Sequence, residues 1–203
     1  MKISKKSAGI LAAVLVITSG FFAYALLKPN DSMQMGAMDH SGMGHGSSAT
    51  VTEGKNLSAD DAMFLQMMIP HHAQAVVISE YAVTNSKNEQ ILKIAKQIKS
   101  DQAGEITQMK KWLTDDGLGT AAGHSMAGMS GMLSEAQLNT LKTSKGAGFD
   151  ELFLNNMIEH HQGALQMVGM IENSKVAALR DFARAISTAQ QAEIDQMQKL
   201  LGN

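Results

Sequence analysis

Met67-Met68-Ile69-Pro70-His71-His72 returns 89 residues later as Asn156-Met157-Ile158-Glu159-His160-His161. Each copy follows an Asp and a Phe at the same distances: Asp61 and Phe64 in the first, Asp150 and Phe153 in the second. Four of the seven histidines sit in these two pairs, so the duplication carries a specific constellation rather than histidine in general. The correspondence extends into the following segments. After one residue is lost, Asn85 matches Asn173, Ile98 matches Ile186, Gln102 matches Gln190, Glu105 matches Glu193 and Met109 matches Met197. Two copies of one helical hairpin, each too small to bury its own apolar stripe, predict an all-α, pseudo-symmetric four-helix bundle.

Local signals set the helices. Ser58-Ala59-Asp60-Asp61 is an N-cap with acidic first-turn residues, opening a helix over 59–83. Thr84-Asn85-Ser86-Lys87 breaks it, and a second helix is predicted over 88–114, stopped by Asp115-Asp116-Gly117. Ser134-Glu135-Ala136-Gln137 is a capping box for a short helix over 134–142. Long helices follow over 149–172 and 175–201, separated at Asn173-Ser174. Pro70 falls inside the first helix, where it frees the Gln66 carbonyl and predicts a kink beside His71. The second copy has Glu159 there, so the two sites need not be equivalent.

The N-terminus reads differently. Lys2, Lys5 and Lys6 precede an uncharged run over residues 8–27, the pattern of an export signal. Ala23-Tyr24-Ala25 allows cleavage after Ala25. The run is equally long enough to remain as a helical anchor across a bilayer core of ~30 Å. Either way the remainder is expected outside the cytoplasm, at the periplasmic or outer face of the membrane, with the membrane a partner only if the segment is retained. Losing the three lysines leaves 14 basic against 19 acidic residues, a formal charge of −5, and no basic footprint for nucleic acid. The organisation is thus a signal or anchor (1–27), a Met/His-rich linker (28–57) and the bundle domain (58–203), with halves at 58–117 and 148–203 and a Met/His-rich connector at 118–133.

At about 100° per residue, Asp61, Phe64, Met68 and His72 share one helix face, and Asp150, Phe153, Met157 and His161 share its counterpart. That face is apolar, so His72 and His161 are expected to point into the core, and His71 and His160 to lie near its edge. Adjacent histidines on a regular helix are not expected to share one ion. Gln102 and Glu105, like Gln190 and Glu193, interrupt apolar stripes on the second helices. A buried carboxylate needs a partner, which predicts the pairs His72–Glu105 and His161–Glu193. Such networks can serve register alone. His71 and His160, with Met67 and Met167 alongside, are the stronger candidate metal ligands, whereas Met68, Met109, Met157 and Met197 also read as core packing.

The composition favours a soft ion. The chain has 16 methionines and no cysteine, which removes disulfides and thiolate ligands together. His40, Met43 and His45 in the linker, and His124, Met126, Met129 and Met132 in the connector, place thioether and imidazole on Gly/Ser-rich backbone with no core to fill. Thioether with imidazole selects Cu(I), and by extension Ag(I), over harder ions. A di-iron carboxylate site lacks support, because no Glu is followed by His three residues later. No Cys nucleophile or G-x-S-x-G motif is present. A binding protein rather than an enzyme is therefore expected, with metal ions as its partners, any copper-transfer protein left unidentified by the sequence, and a metal-free structural module as the alternative.

Asp-x-x-Phe-x-x-x-Met-Ile-x-His-His followed by Gln-x-x-Glu-Ile-x-x-Met, given twice between Ser58 and Leu201, resembles the "domain of unknown function 305" family. The resemblance implies a ferritin-like four-helix bundle. It also implies kinship with exported bacterial proteins that bind copper through Met and His and contribute to copper resistance. Carried to this chain, it points to His71, His72, His160 and His161, with Met67, Met68 and Met157 beside them.

Overall fold

The structure is a computed structural model that describes residues 57–123 and 128–202. It contains five α-helices and, among the described residues, no strand: α1 (Ala59–Asn85), α2 (Glu89–Asp115), α3 (Glu135–Thr143), α4 (Gly146–Val168) and α5 (Ala177–Leu201). A 3-10 turn, Gly169–Ile171, extends α4. The linker with His40, Met43 and His45, the signal or anchor segment, and His124 and Met126 lie outside the described residues. Among the described residues no helix is long and apolar enough to cross a membrane.

The helix ends form where the caps predict. Ser58 Oγ accepts from the Asp61 backbone N–H at 3.1 Å, and Asp61 Oδ2 accepts from the Ser58 N–H at 2.9 Å, a complete capping box. Ser134 and Gln137 repeat the device at α3. At the end of α2, Gly117 takes φ +72°, its N–H reaches the Thr114 carbonyl, and the Leu118 N–H reaches the Leu113 carbonyl at 2.8 Å. That is a Schellman closure, which needs a residue tolerant of positive φ. Helix α1 runs through Pro70 without interruption. Helix α4 begins earlier than predicted, because burial of Phe149 and its stack on Phe153 (5.8 Å between centroids) outweigh the poor helix propensity of Gly146 and Gly148.

Helix α1 packs on α2, α4 packs on α5, and α1 crosses α4. The buried apolar residues fall into two clusters at opposite ends of the bundle. One joins the second half of α1 (Ala75, Ile78, Ala82) to the start of α2 (Ile91, Ile94, Ile98), the start of α4 (Phe149, Phe153, Met157) and the end of α5 (Ile194, Met197). The other joins the first half of α1 (Phe64, Leu65, Met68) to the end of α2 (Met109, Trp112, Leu113), the end of α4 (Ala164, Met167, Val168) and the start of α5 (Leu179, Phe182, Ile186). Trp112 meets Phe182 edge-on at 4.9 Å across the second cluster. This pairing of halves makes α1 antiparallel to α4 and relates the two hairpins by a pseudo-twofold through the crossing.

The clusters carry the stability, and a ring within one of them offers a direct measure. Phe153→Ala should destabilise the bundle by about 3–5 kcal/mol, the ordinary cost of emptying a buried Phe site. Urea denaturation followed by circular dichroism reads this loss; a change under 1 kcal/mol would mean the cluster is not close-packed.

Candidate metal centre

Between the apolar clusters lies a polar layer. It is built of His71 and His72 from α1, His160 and His161 from α4, Gln102 and Glu105 from α2, and Gln190 and Glu193 from α5. All four histidines are fully buried, at 0% exposure. His72 Nε2 lies 2.9 Å from Glu105 Oε2, and His161 Nε2 lies 2.7 Å from Glu193 Oε2. These are the two pairs expected from the interrupted stripes. An ionised carboxylate only accepts, so each Nε2 carries the proton and donates, and in the neutral ring Nδ1 keeps the lone pair. Neither Nδ1 has a hydrogen-bond partner among the described residues.

His71 and His160 are not at the edge of the core but at its centre. Their ring centroids are 3.8 Å apart, tilted by 39°. The physical reason is that α1 and α4 each bury two faces. The face carrying His72 or His161 meets the second helix of its own hairpin. The face about 100° around, carrying His71 or His160, meets the first helix of the other. A single-stripe reading sees only the former. None of the four ring nitrogens of this pair makes a well-formed hydrogen bond among the described residues. Burial, reinforced by the neighbouring imidazoles, lowers the His71 pKa to about 3 and drives that of His160 well below its ordinary value. The Ser130 backbone, on the connector, acts in the opposite sense on His71.

The layer keeps the pseudo-twofold closely. The rings of His71 and His72 are 6.3 Å apart and tilted 53°, and those of His160 and His161 are 6.3 Å apart and tilted 56°. Gln102 and Gln190, 2% and 3% exposed, leave both side-chain polar atoms without partners among the described residues. Buried orphan atoms are rare in folded proteins and cost about 1–3 kcal/mol each. Here ten of them, six imidazole nitrogens aside from the two bonded to carboxylates and the four amide atoms of Gln102 and Gln190, gather in one layer.

Other predicted residues lie elsewhere. Asp61 is buried but serves the α1 cap, and Asp150 is half-buried near the start of α4, both some ten residues from the histidines. Met68 and Met157 are fully buried, each one turn before its histidine pair, and Met167 is buried in the second cluster. Met67 and Met129 are partly buried against that cluster, and Met132 is half-buried. Among the described residues no three His, Asp or Glu side chains converge as a ligand group for a harder ion. Residues absent from the sequence reading also reach the layer's surroundings. Gln74 donates from Nε2 to the Leu133 carbonyl at 2.9 Å and accepts the Leu133 N–H at 2.8 Å, while Gly131 and Gly163 bring the connector against α4.

Duplicated hairpins crossing at a buried four-histidine layer define a class of helical bundle. The pattern of the family described as Domain of unknown function (DUF305) matches residues 61–201, and the chain belongs to that family. Solved structures agree. A DUF305 fragment from Deinococcus radiodurans is 30% identical with a TM-score of 0.68, over 72% of this chain and 97% of that one. A DUF305 protein from Streptomyces coelicolor, assigned as secreted, is 29% identical with a TM-score of 0.67, over 71% and 94%. CopM in its Cu(I)-bound form is 29% identical with a TM-score of 0.61, over 72% and 97%, and CopM has also been solved with Cu(II) and with Ag. An uncharacterized protein of Acanthamoeba polyphaga mimivirus is 36% identical over 56 residues, a match spanning 28% of this chain and 37% of that protein.

The lowered histidine pKa values make the metal-free fold acid-sensitive. The unfolded chain protonates His71 near pH 6.5, whereas the folded chain does so only near pH 3. Between those values the unfolded state binds more protons, so stability falls as pH falls, by up to about 1.4 kcal/mol per pH unit for each such histidine. His160 acts in the same direction. Denaturation of metal-free protein at pH 7 and pH 5, compared with His71→Gln, should show a shallower pH slope in the variant. Equal slopes would place His71 in a solvated setting.

Proposed function

We propose that this protein binds Cu(I), and by the same chemistry Ag(I), in the histidine layer, outside the cytoplasm, to sequester the ion or hand it on. The observation that carries this reading is the 6.3 Å separation of the rings within each consecutive pair. An imidazole nitrogen stands ~1.1 Å from its ring centroid, and metal–imidazole bonds are about 2.0 Å. Two imidazoles bonded in line to one ion therefore have centroids roughly 6 to 6.5 Å apart. His71 with His72, and His160 with His161, fit that spacing. On this reading neighbouring histidines on one helix would share an ion, against what a regular helix leads one to expect. His71 and His160, at 3.8 Å, stand too close to hold an ion in line between them.

The chemistry of the layer favours a soft monovalent ion. Low coordination suits d10 Cu(I) and Ag(I), and the absence of a three-ligand group among the described residues disfavours ions that need one. Desolvation scales with the square of the charge, so a monovalent ion costs about a quarter of a divalent one. Each ion would face one carboxylate through an imidazole, Glu105 behind His72 and Glu193 behind His161, which orients the ring, raises its basicity and balances the charge. The forms of CopM bound to Cu(I), Cu(II) and Ag support copper and silver as the ions, without choosing between the two oxidation states of copper. Met68 and Met157, one turn away on the same helices, would supply further soft donors or simply packing.

Location outside the cytoplasm rests on the N-terminal signal pattern and on the secreted assignment of the Streptomyces coelicolor relative. The fully buried site suits a carrier or store rather than an enzyme, because a closed layer gives no room for a substrate to turn over. A metal-free structural bundle is the competing reading, favoured by the two complete apolar clusters.

Anaerobic titration with Cu(I) against a chromophoric chelator separates these readings. The full-length chain should lose one tight equivalent in His71→Ala, one in His160→Ala and two in the double variant. Weaker equivalents that survive would belong to the Met/His linkers. A double variant with undiminished tight stoichiometry would remove the histidine layer as the binding site.

A further inference from the structure

The two halves of the repeat differ at one position that the metal reading does not use. Gln74, three residues after His71, corresponds to Gly163, three residues after His160. Both touch the same piece of chain, the end of the connector over residues 128–133. On the α1 side, the Gln74 amide closes a reciprocal pair of hydrogen bonds with the Leu133 backbone. On the α4 side, a Cβ at Gly163 would lie 2.2 Å from the Ser130 carbonyl oxygen. A Cβ at Gly131, where φ is +79°, would lie 2.7 Å from the His160 carbonyl oxygen and 2.8 Å from that of Glu159. Backbone therefore packs on backbone there, which only glycine allows. Met129 rests on the apolar cluster beside the layer, and Leu133 is buried at the far end.

These contacts place the segment across the α1–α4 seam at the level of His71 and His160. On the other side the layer meets α2 and α5, through Glu105 and Glu193. The seam is closed by six residues of irregular chain, held by the Gln74 clamp, two glycine contacts and two apolar anchors, Met129 on one cluster and Leu133 in the other, whereas the flanks are closed by helices. Segments with few apolar anchors open at lower free energy than packed helices.

We propose that residues 128–133 form a strap over the histidine layer, and that ions reach and leave the layer by its lifting from the α1–α4 seam. This rests on the metal reading for its cargo but not for its geometry. The strap sets exchange rates. The histidines set affinity, because the strap contributes backbone and thioethers but no imidazole among the described residues. Gln74 is a positioning residue, and Gly163 is the clearance that lets the strap seat.

Two variants perturb the strap by opposite means. Gln74→Ala removes its clamp, and Gly163→Ala inserts a methyl where the Ser130 carbonyl sits while favouring the helix. Far-ultraviolet circular dichroism verifies folding of each. Without metal, carbethoxylation of His71 and His160 by diethyl pyrocarbonate, mapped by mass spectrometry, reads exposure of the rings. Both variants should label about tenfold faster than wild type, Gln74→Ala because two ordinary hydrogen bonds are lost from the closed state and Gly163→Ala because its methyl overlaps the seated Ser130 carbonyl. With metal, transfer of Ag(I) from the loaded protein to a chelator in stopped flow should accelerate by a similar factor, with affinity changed far less. Unchanged labelling in both variants overturns the strap. Faster labelling with unchanged Ag(I) transfer overturns its role as the route. A wild type that binds no Ag(I) at the histidines would overturn the metal reading instead, and labelling alone would then decide the strap.

Discussion

The crossing of α1 and α4 is held at its centre by two buried, neutral imidazoles, 3.8 Å apart and tilted by 39°, whose ring nitrogens make no well-formed hydrogen bond among the described residues. Everything else in the bundle is arranged around that unfavourable contact. His71 and His160 stay unprotonated because burial makes a charge there costly. They stay apart from water because an apolar cluster lies above and another below. Polar atoms without partners, gathered on one plane between well-packed clusters, are not a general looseness of the core. The clusters provide the stability, and the layer spends part of it, as functional sites commonly do.

Much of this was legible in the residues. The caps at Ser58 and Ser134 and the stop at Gly117 are local chemistry and read directly. The pairing of His72 with Glu105, and of His161 with Glu193, followed from a simple need: a carboxylate on an apolar face requires a partner, and one histidine of each pair shares that face. The duplication gave the number of helices and their pairing. What could not be read was the second buried face of α1 and α4. A helical stripe reports that a face is apolar, not which neighbour covers it, and His71 looks like an edge residue until the other hairpin is laid against it. The strap was hidden for a different reason. Gly, Ser and Met in sequence describe a linker, and its seating depends on a side chain that is missing, at Gly163, and on backbone atoms that composition does not record.

The departures from symmetry are informative because the rest of the repeat is so regular. The two His–His separations agree and the two His–Glu pairs nearly so. Against that background Gln74 facing Gly163 is a division of labour across one seam. A single connector cannot obey a twofold axis, so the two helices that it crosses must treat it differently: one binds it and the other makes room. Pro70 opposite Glu159 is a second departure, on the residue immediately before each pair, and it leaves α1 continuous.

A buried site for a soft cation has to reconcile retention with release. Under the proposed reading retention would be favoured by the buried layer, where Nδ1 of His72 and of His161 has no hydrogen-bond partner among the described residues and a carboxylate stands behind each of those rings. Release is then slow unless something opens, and opening a helix pair would expose an apolar cluster at each end. Placing the proposed opening in six residues of connector limits that cost: lifting them breaks the Leu133–Gln74 pair and the Gly131 and Gly163 contacts and withdraws Leu133 and Met129 from the clusters, while α1, α2, α4 and α5 stay packed on one another. The same connector carries Met129 and Met132, and sequence continuity joins it to His124 and Met126. On the proposed route, the thioethers of Met129 and Met132 would lie along the segment that lifts and offer the leaving ion donors of the same softness.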